Sequence, residues 1–355
     1  MASIYDIAKV AGVSYSTVSL ILNNRGDDVR ISKRTQERVK KIAREMGYVP
    51  NIHARKLISK ELQNLPEIAL LWSPSQHPVF LNSMIGKMNE LVKLKRIQPM
   101  SVTIYPFENN QIEKLQKVLT GNFAHGIIIP VAGEKDIKYL REIDIQTPAV
   151  TIYNNTRKYH SVDVDNVLNG RRAAGIFDRL GLRRVAMIKN IYFSMASRER
   201  MKGFKDYCLE HGMEIVAELD KRQNREMNSG TAMERYKKGS ILTERMLSSG
   251  CRPEGIFVQD DDSARGVIHV LQAQGFRVPE DVSVIGYGYN SKENEEENQL
   301  TLIGYPMEEL TEKTWMLMSD LLAGKIEKTQ RILCESLFYF GKSCRPPKGF
   351  YNNDK

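Results

Sequence analysis

The N-terminal segment predicts two short helices separated by a tight turn. Ser3 and Asp6 have the spacing of a capping box, and apolar residues then recur on one helical face. Gly12 can adopt the left-handed conformation that ends a helix, and Ser14 can cap a second helix that continues to about Asn23. This pattern favours a helix-turn-helix over a plain helical hairpin, and the second helix of that motif can enter the major groove of DNA.

Positive charge is concentrated in the same part of the chain. The 355 residues carry 52 Lys and Arg against 43 Asp and Glu, a net charge of +9. Residues 1–60 account for +7 of that charge, and the remainder is nearly neutral at +2. A basic segment on a neutral body is typical of a domain that docks on the phosphate backbone, although an ordinary basic surface is the alternative.

The face of the second helix opposite its buried residues is available to DNA. Tyr15 and Ser16 lie near the start of this helix and are best placed to touch base edges. Hydroxyl and amide groups around them can bond phosphate oxygens, helped by the helix dipole. The contacts predicted for this region are Ser3, Ser14, Tyr15, Ser16, Thr17, Ser19, Leu20 and Asn23.

A third helix is predicted from Ser32 to about Met46, with cations near its start that can clamp the DNA backbone. One or two further helical turns follow, which Asn51 can cap, and they carry a small residue, two cations and an exposed leucine. The DNA contacts predicted in these two segments are Arg30, Asn51, Ala54, Arg55 and Leu57.

Three motifs resemble the head of the LacI/GalR family of bacterial transcriptional regulators. They are Ile-Tyr-Asp-Ile-Ala (4–8), Ala-Gly-Val-Ser-Tyr-Ser-Thr-Val-Ser (11–19) and Gly-Tyr-Val-Pro-Asn (47–51). Ala-Arg-Lys-Leu (54–57) resembles the family's hinge helix, which implies that Leu57 and its dimer mate wedge into the minor groove. Two features depart from the family: Leu20 replaces a base-reading Arg, and the loop 24–30 is longer than usual.

After about Pro66, strand-like apolar runs alternate with amphipathic helices, which predicts parallel sheets covered by helices on both faces. This part resembles the family's two-lobed effector domain, which has a periplasmic-binding-protein fold. The predicted fold is an all-α helix-turn-helix head with a hinge helix, followed by that α/β domain. Predicted strands are 68–72, 101–105, 126–131, 149–153, 184–189, 215–218, 255–259, 282–287 and 300–305.

The resemblance also divides the chain. We expect three crossings between the lobes, near 163–165, 290–299 and 323–328. The predicted divisions are a DNA-binding domain at 1–49, a hinge and linker at 50–64, an effector and dimerisation domain at 65–345, and a tail at 346–355. Within the third, the first lobe is assigned 65–163 and 297–324, and the second lobe 164–292 and 326–343.

Ligands of parallel α/β sheets sit beyond the carboxyl ends of the strands. Arg200, in an R-x-x-G-F motif that the family shares, is implied to be the main cation of the cleft, able to grip hydroxyls or a carboxylate. An ion pair between lobes or within a helix is the alternative role. The effector contacts implied are Trp72, Phe80, Tyr153, Asp165, Arg200, Asp260 and Gly288.

The predicted cleft departs from relatives that bind sugars or purines. Such relatives commonly carry an Asp at the positions of Tyr153 and Gly288. Losing both acceptors makes a simple monosaccharide in the usual pose a poorer match. Asp165 either caps the following helix or bonds the ligand. One Asp of 260–262 is expected to cap a helix, with a metal site the less favoured interpretation.

Several classes of protein are not favoured by the sequence. No P-loop, dinucleotide fingerprint, H-E-x-x-H motif or nucleophile elbow occurs, so we predict no enzyme, no cofactor and no metal. No apolar run is long enough for a membrane helix, and the N-terminus lacks the apolar core of a signal peptide. Four scattered cysteines indicate reduced packing thiols in a cytoplasmic protein.

These observations predict a sequence-specific DNA-binding transcriptional regulator that acts as a repressor. We expect a homodimer on double-stranded operator DNA, with affinity modulated by a small-molecule effector, carbohydrate-related, bound between the lobes. The alternative keeps the DNA-binding role but places it under a protein coregulator, or under no effector at all. No membrane partner is expected.

Overall fold

The computed structural model describes residues 3–22, 26–46, 65–73, 78–121, 123–130, 133–153, 156–189, 195–219, 231–289 and 299–350. The chain forms two compact units, Met1–Leu65 and Pro66–Lys355. No helix in these ranges is long and apolar enough to cross a membrane. All four cysteines are free thiols, in agreement with the prediction.

The first unit contains the predicted helix-turn-helix. Among its described residues, the helices are α1 (Ile4–Ala11), α2 (Tyr15–Leu22) and α3 (Lys33–Glu45). Ser3 and Asp6 form the capping box at the start of α1, and Gly12 ends that helix with φ 64° and ψ 37°. A small core that includes Ile7 and Val18, both fully buried, holds the three helices together.

The loop before α3 is anchored by one side chain of that helix. The Gln36 amide donates to Asp27 Oδ1 and to the Ile31 carbonyl, both at 2.8 Å. Gly26 packs against the same amide, and a Cβ there would lie 2.7 Å from Gln36 Cδ. The long loop therefore closes onto α3 through a buried glutamine, and α3 begins one residue later than predicted.

The second unit contains two six-stranded sheets, each with helices on both faces. The order of the sheets is β11-β5-β4-β3-β1-β2 in the first lobe and β12-β10-β9-β8-β6-β7 in the second. All pairs are parallel except β10 with β12. The strands are β1 (Glu67–Trp72), β2 (Ser101–Pro106), β3 (Gly126–Ile129), β4 (Ala149–Ile152), β5 (His160–Val164), β6 (Arg184–Ile188), β7 (Glu214–Leu219), β8 (Gly255–Val258), β9 (Ser283–Gly288), β10 (Thr301–Gly304), β11 (Arg331–Cys334) and β12 (Leu337–Tyr339).

The helices of this unit bury their apolar faces on the two sheets. Two apolar cores flank each sheet, one on either side, as expected for parallel strands that are hydrophobic on both faces. The helices are α4 (Pro78–Lys93), α5 (Gln116–Thr120, after a 3₁₀ turn at Ile112–Leu115), α6 (Glu134–Glu142), α7 (Asn166–Arg179), α8 (Met195–Glu210), α9 (Ala232–Ser248), α10 (Asp261–Ala273) and α11 (Met307–Leu322).

Two strands lie in the opposite lobe from the one predicted. The ranges 297–324 and 326–343 are predicted in the first and second lobes, but β10 pairs with β9 and β11 pairs with β5. The later parts of both ranges lie as predicted, because α11 packs in a core of the first sheet and β12 pairs with β10 in the second. Strands of three or four residues carry too short a pattern to identify their sheet, so distant contacts decide it. Arg331 of β11 pairs at 3.3 Å with Asp163, a buried acid that also interrupts the apolar run of β5.

The described elements place three crossings between the lobes. The first crossing joins β5 to α7, near 163–165 as predicted. The others follow β10 and β11, at 304–307 and 334–337, and the predicted positions near 290–299 and 323–328 are wrong. The misassignment of β10 and β11 causes both errors.

Candidate functional site

The exposed face of α2 begins at a hydroxyl cluster. Ser14 Oγ accepts the Thr17 amide at 3.1 Å and lies 2.8 Å from both Ser16 Oγ and Thr17 Oγ1. Tyr15 stands beside this cluster and is 58% exposed, while Val18 is buried on the opposite face. The structure therefore places hydroxyl groups and one aromatic ring at the helix N-terminus, where phosphates and base edges are bound.

A second aromatic ring extends this face. Tyr5 of α1 is 70% exposed and stacks on Tyr15 with ring centroids 5.4 Å apart. Sequence analysis did not select Tyr5, although its position beside the capping box left it outside the buried stripe of α1. The two rings form an aromatic surface that both helices of the motif share.

The remaining predicted DNA contacts differ in placement. Ser3 bonds Asp6 through both its amide and its hydroxyl, so it caps α1. Arg30 is exposed and has φ 57°. Ser19 and Leu20 are half-buried on α2. The predicted contacts outside the described residues are Asn23, Asn51, Ala54, Arg55 and Leu57.

A close helix crossing in the second lobe sets the position of Arg200. A Cβ on Gly170 of α7 would lie 1.8 Å from the Arg200 carbonyl oxygen, and one on Gly203 of α8 would lie 1.9 Å from that of Val167. Only glycine permits such an approach of two backbones. The crossing holds the first half of α8 beside the carboxyl ends of β8 and β9, where parallel sheets bind ligands.

The Arg200 guanidinium is buried among neutral groups. Nε donates to Gln259 Oε1 at 3.1 Å, one terminal nitrogen donates to Asn166 Oδ1 at 2.6 Å, and Cζ lies 3.7 Å from the Tyr287 ring centroid. Arg200 is 4% exposed, and no described carboxylate lies within 4.0 Å of it. Arg200 therefore forms no ion pair with a described residue, which disfavours its alternative role in an ion pair.

Three tyrosine rings connect the lobes beside Arg200. Tyr153, after β4 in the first lobe, meets Tyr305 with centroids 5.4 Å apart, and Tyr305 meets Tyr287 of β9 at 4.7 Å. Burial raises the pKa of all three phenols above the usual value. At neutral pH each hydroxyl therefore keeps its proton and can donate a hydrogen bond.

The first-lobe wall is aromatic, as the sequence suggests. Trp72 at the end of β1 stacks on Phe80 of α4, with centroids 6.2 Å apart and an interplanar angle of 14°. Both rings pack in the same core as Tyr153. Trp72 and Phe80 thus form one aromatic pair of the first lobe, and Tyr153 belongs to the same core.

Two predicted effector contacts are helix caps. Asp165 Oδ1 accepts the Leu168 amide at 2.8 Å at the start of α7. Asp260 accepts the amide and the hydroxyl of Ser263, at 2.7 Å and 2.8 Å, at the start of α10. The Asp260 carboxylate is thus already occupied, which confirms the expectation that one Asp of 260–262 caps a helix.

Gly288 leaves space for a neighbouring acid. A Cβ at Gly288 would lie 2.7 Å from Cγ of Asp261, so that carboxylate fills the place of a side chain at 288. Burial, and next the charges of Asp262 and Asp260, raise the pKa of Asp261 to about 7. The three carboxylates lie within 4.8 Å of one another, but Asp262 bonds Arg235 at 2.5 Å, so the described run serves mainly a helix start and an ion pair.

Sequence reasoning also missed Gln259, Asp261 and Tyr305. Gln259 directly follows β8, Asp261 comes two residues later at the start of α10, and Tyr305 directly follows β10. Polar residues after consecutive parallel strands converge at one edge of a sheet, so strand ends were the signal that could have found them.

Two family descriptions match this chain. Residues 3–51 match "Bacterial regulatory proteins, lacI family", and residues 174–344 match "Periplasmic binding protein-like domain". The HTH-type transcriptional regulator CelR of Thermobifida fusca is 26% identical over 338 residues, which cover 93% of this chain and 94% of the relative.

Solved structures show the same fold. The lac repressor dimer bound to operator and the anti-inducer ONPF has a TM-score of 0.66 at 22% identity, covering 96% of this chain and 98% of that one. A CelR–cellobiose complex has a TM-score of 0.61 at 22% identity, covering 97% and 100%. With a lacI-type head joined to a two-lobed body, and regulators of that family matched along nearly its whole length, the chain belongs to the LacI family and is a DNA-binding transcriptional regulator.

Proposed function

We propose that this regulator binds operator DNA as a homodimer and that a small molecule, carbohydrate in class, modulates its operator affinity from the cleft between the lobes. The observation that carries the proposal is the presence in one chain of two features. One is the exposed aromatic and hydroxyl face of α2, and the other is a buried Arg200, with no described acid beside it, at the carboxyl ends of β8 and β9. A regulator of this kind acts by binding rather than catalysis, on DNA in the cytoplasm.

On the DNA side, Tyr15 and Ser16 read base edges, and the hydroxyl groups of Ser14 and Thr17 bond phosphate oxygens. The shared aromatic surface with Tyr5 offers apolar contact to thymine methyl groups, which suits a helix that carries Leu20 in place of an Arg. The lac repressor structure with operator is a dimer, which supports paired heads on a near-palindromic site.

On the effector side, the CelR structure with cellobiose supports a carbohydrate class. A ligand held between Arg200 and the first-lobe aromatic wall changes the angle between the lobes. In the proposed mechanism, the angle between the lobes sets the spacing of the two heads of a dimer. The change is passed on through the predicted hinge segment 50–64, which contains Leu57. By linkage, operator DNA must change ligand affinity by the same factor as the ligand changes operator affinity.

The test begins with selection of a consensus site from random DNA by the full chain. Tyr15→Ala should change the selected consensus and weaken binding to the wild-type site by about 1–3 kcal/mol. Phe123→Ala is the matched control, because Phe123 in the second unit is also 58% exposed. An unchanged consensus for Tyr15→Ala would remove Tyr15 from the base contacts.

The same site then serves for effectors. Fluorescence anisotropy of labelled operator, titrated with cellobiose and a panel of monosaccharides, should reveal at least one sugar that changes operator affinity. No change with any sugar would favour the alternative, in which a protein coregulator or no effector controls the same DNA-binding role.

A further inference from the structure

We infer that the effector of this regulator carries a carboxylate, which pairs with Arg200, so that the ligand is a sugar acid rather than a neutral sugar. The inference rests on the proposed function and names the ligand class of the same cleft. It follows from how the charge of Arg200 is surrounded.

Three other cations of the second lobe whose side chains are largely buried have acids beside them. Arg235 lies 2.5 Å from Asp262, and Lys189 lies 2.5 Å from Glu218. Arg172 has Glu335 at 3.9 Å. These pairs follow the general rule that a cation removed from water keeps an opposite charge nearby.

Arg200 departs from that rule. It is 4% exposed, and its described partners are two amide oxygens and a ring face. A ring quadrupole attracts a cation but brings no negative charge. A buried guanidinium with no acid beside it among the described residues is costly to the fold, and a ligand that supplies an anion lowers that cost.

The neighbours of Arg200 add donors instead of acceptors. The Gln259 side chain is 1% exposed, and its Nε2 has no hydrogen-bond partner among the described residues. Tyr153 and Tyr305 contribute phenols that stay protonated, because burial raises the pKa of both. A guanidinium and an amide N–H₂ beside one another suit a planar carboxylate, which accepts two hydrogen bonds side by side.

The same cleft keeps one acid for the rest of the ligand. Asp261 lies against Gly288, the residue that follows Tyr287 in β9, and the Tyr287 ring lies 3.7 Å from Arg200 Cζ. The Asp261 carboxylate can accept hydrogen bonds from the hydroxyl groups of a polyol. A phosphate carries ≈ −1.5 to −2 charge at neutral pH, more than one guanidinium balances, so a carboxylate fits better.

The test uses sugars that differ at one carbon. Thermal melting of the full chain is recorded with D-glucose, D-glucuronate, the methyl ester of D-glucuronate and D-glucose 6-phosphate, and with D-galactose and D-galacturonate. We expect at least one uronate to raise the melting temperature and to change operator affinity, whereas the neutral hexoses and the ester do neither.

Variants tie the effect to Arg200. Arg200→Gln should weaken uronate binding about 30-fold or more, because a buried charge pair is lost. Arg200→Lys keeps the positive charge but loses the paired N–H donors of the guanidinium, so its uronate affinity should lie between those of Arg200→Gln and the wild type. Arg172→Gln is the control, since Arg172 also lies over a ring, that of Phe338 at 5.2 Å, but has its own acid.

Each result decides the inference. The inference is overturned if neutral sugars stabilise the protein as well as the uronates do, or if the sugar phosphate gives a stronger response. It is also overturned if no uronate binds, or if uronate binding is unchanged in both Arg200 variants. The proposed function is judged separately, because a neutral sugar that alters operator affinity would leave that function standing while the carboxylate is rejected.

Discussion

The second lobe contains two helix pairs that pack in the same way and differ in charge. α7 crosses α8 through Gly170 and Gly203, and α9 crosses α10 through Gly239 and Gly266. In each pair, a Cβ would lie 1.8–2.1 Å from a carbonyl oxygen of the facing helix. The first crossing brings Arg200 to the carboxyl edge of the sheet, where its described partners are all neutral.

The second crossing brings acids to the same edge together with their cation. Arg235 of α9 lies 2.5 Å from Asp262 and 3.9 Å from Asp260. The comparison teaches that the glycine crossings set backbone positions, whereas the residues near each crossing determine whether a cation has an acidic partner. A cation paired with an acid stabilises the fold, and a cation without a described acid is available to a ligand.

The largest effect is expected when a side chain replaces the glycine contact in either helix crossing. Gly203→Ala and Gly266→Ala each place a Cβ against a backbone oxygen, at 1.9 Å and 2.1 Å, and backbone cannot rotate away. We expect each to destabilise the second unit by about 3 kcal/mol or more, measured by urea unfolding. Gly86→Ala in α4 is the control, because nothing lies within 4 Å of its added Cβ, and it should stabilise by roughly 0.5–1 kcal/mol. Equal behaviour of all three would show that the crossings tolerate a side chain.

A smaller effect separates two neighbouring acids. Asp262→Asn leaves the buried Arg235 without its closest anion and should destabilise by roughly 3 kcal/mol at pH 7. Asp261→Asn should act in the opposite direction, because the pKa of Asp261 is raised to about 7 and its ionised form is disfavoured in the folded chain.

The sign for Asp261 gives a pH dependence. A folded pKa above the unfolded value near 3.8 means that the wild type loses stability as pH rises from about 4 to about 7. Asp261→Asn should therefore melt higher than the wild type at pH 8 and no higher at pH 4. Each unit of pKa shift corresponds to about 1.4 kcal/mol. A melting difference that does not grow with pH would show that Asp261 is not strained by its charge.

Much of the head could be predicted because its signals are local. The capping box at Ser3, the left-handed Gly12 and the hydroxyl cap at Ser14 each fix a helix end within a few residues. The nine predicted strands and the fold class are also confirmed, since each predicted run forms a strand, seven of them mostly buried and two, β2 and β7, at the edges of their sheets. These features need no knowledge of distant partners.

Features that depend on distant partners were missed. Strands β5, β11 and β12, absent from the nine predicted strands, are short or interrupted by polar residues, and β10 and β11 were assigned to the wrong lobes. The site shows the same limit. Arg200 was found through its motif, but the absence of a nearby described acid, and the approach of Asp261 to Gly288, follow from helix packing that no local pattern encodes.

The smallest effect concerns a third cation, on the same helix as Arg200. Arg198 of α8 pairs at 2.6 Å with Glu134 of α6 in the first lobe, and the two side chains are 47% and 63% exposed. Because water screens an exposed pair, Arg198→Ala should change stability by less than about 1 kcal/mol, and the change should shrink as salt is raised. The double exchange Glu134→Arg with Arg198→Glu should restore the wild-type melting temperature. A loss as large as that of Asp262→Asn would mean that this bridge between lobes matters as much as the buried Arg235 pair, and that exposure is a poor guide to which charges of the second lobe need a partner.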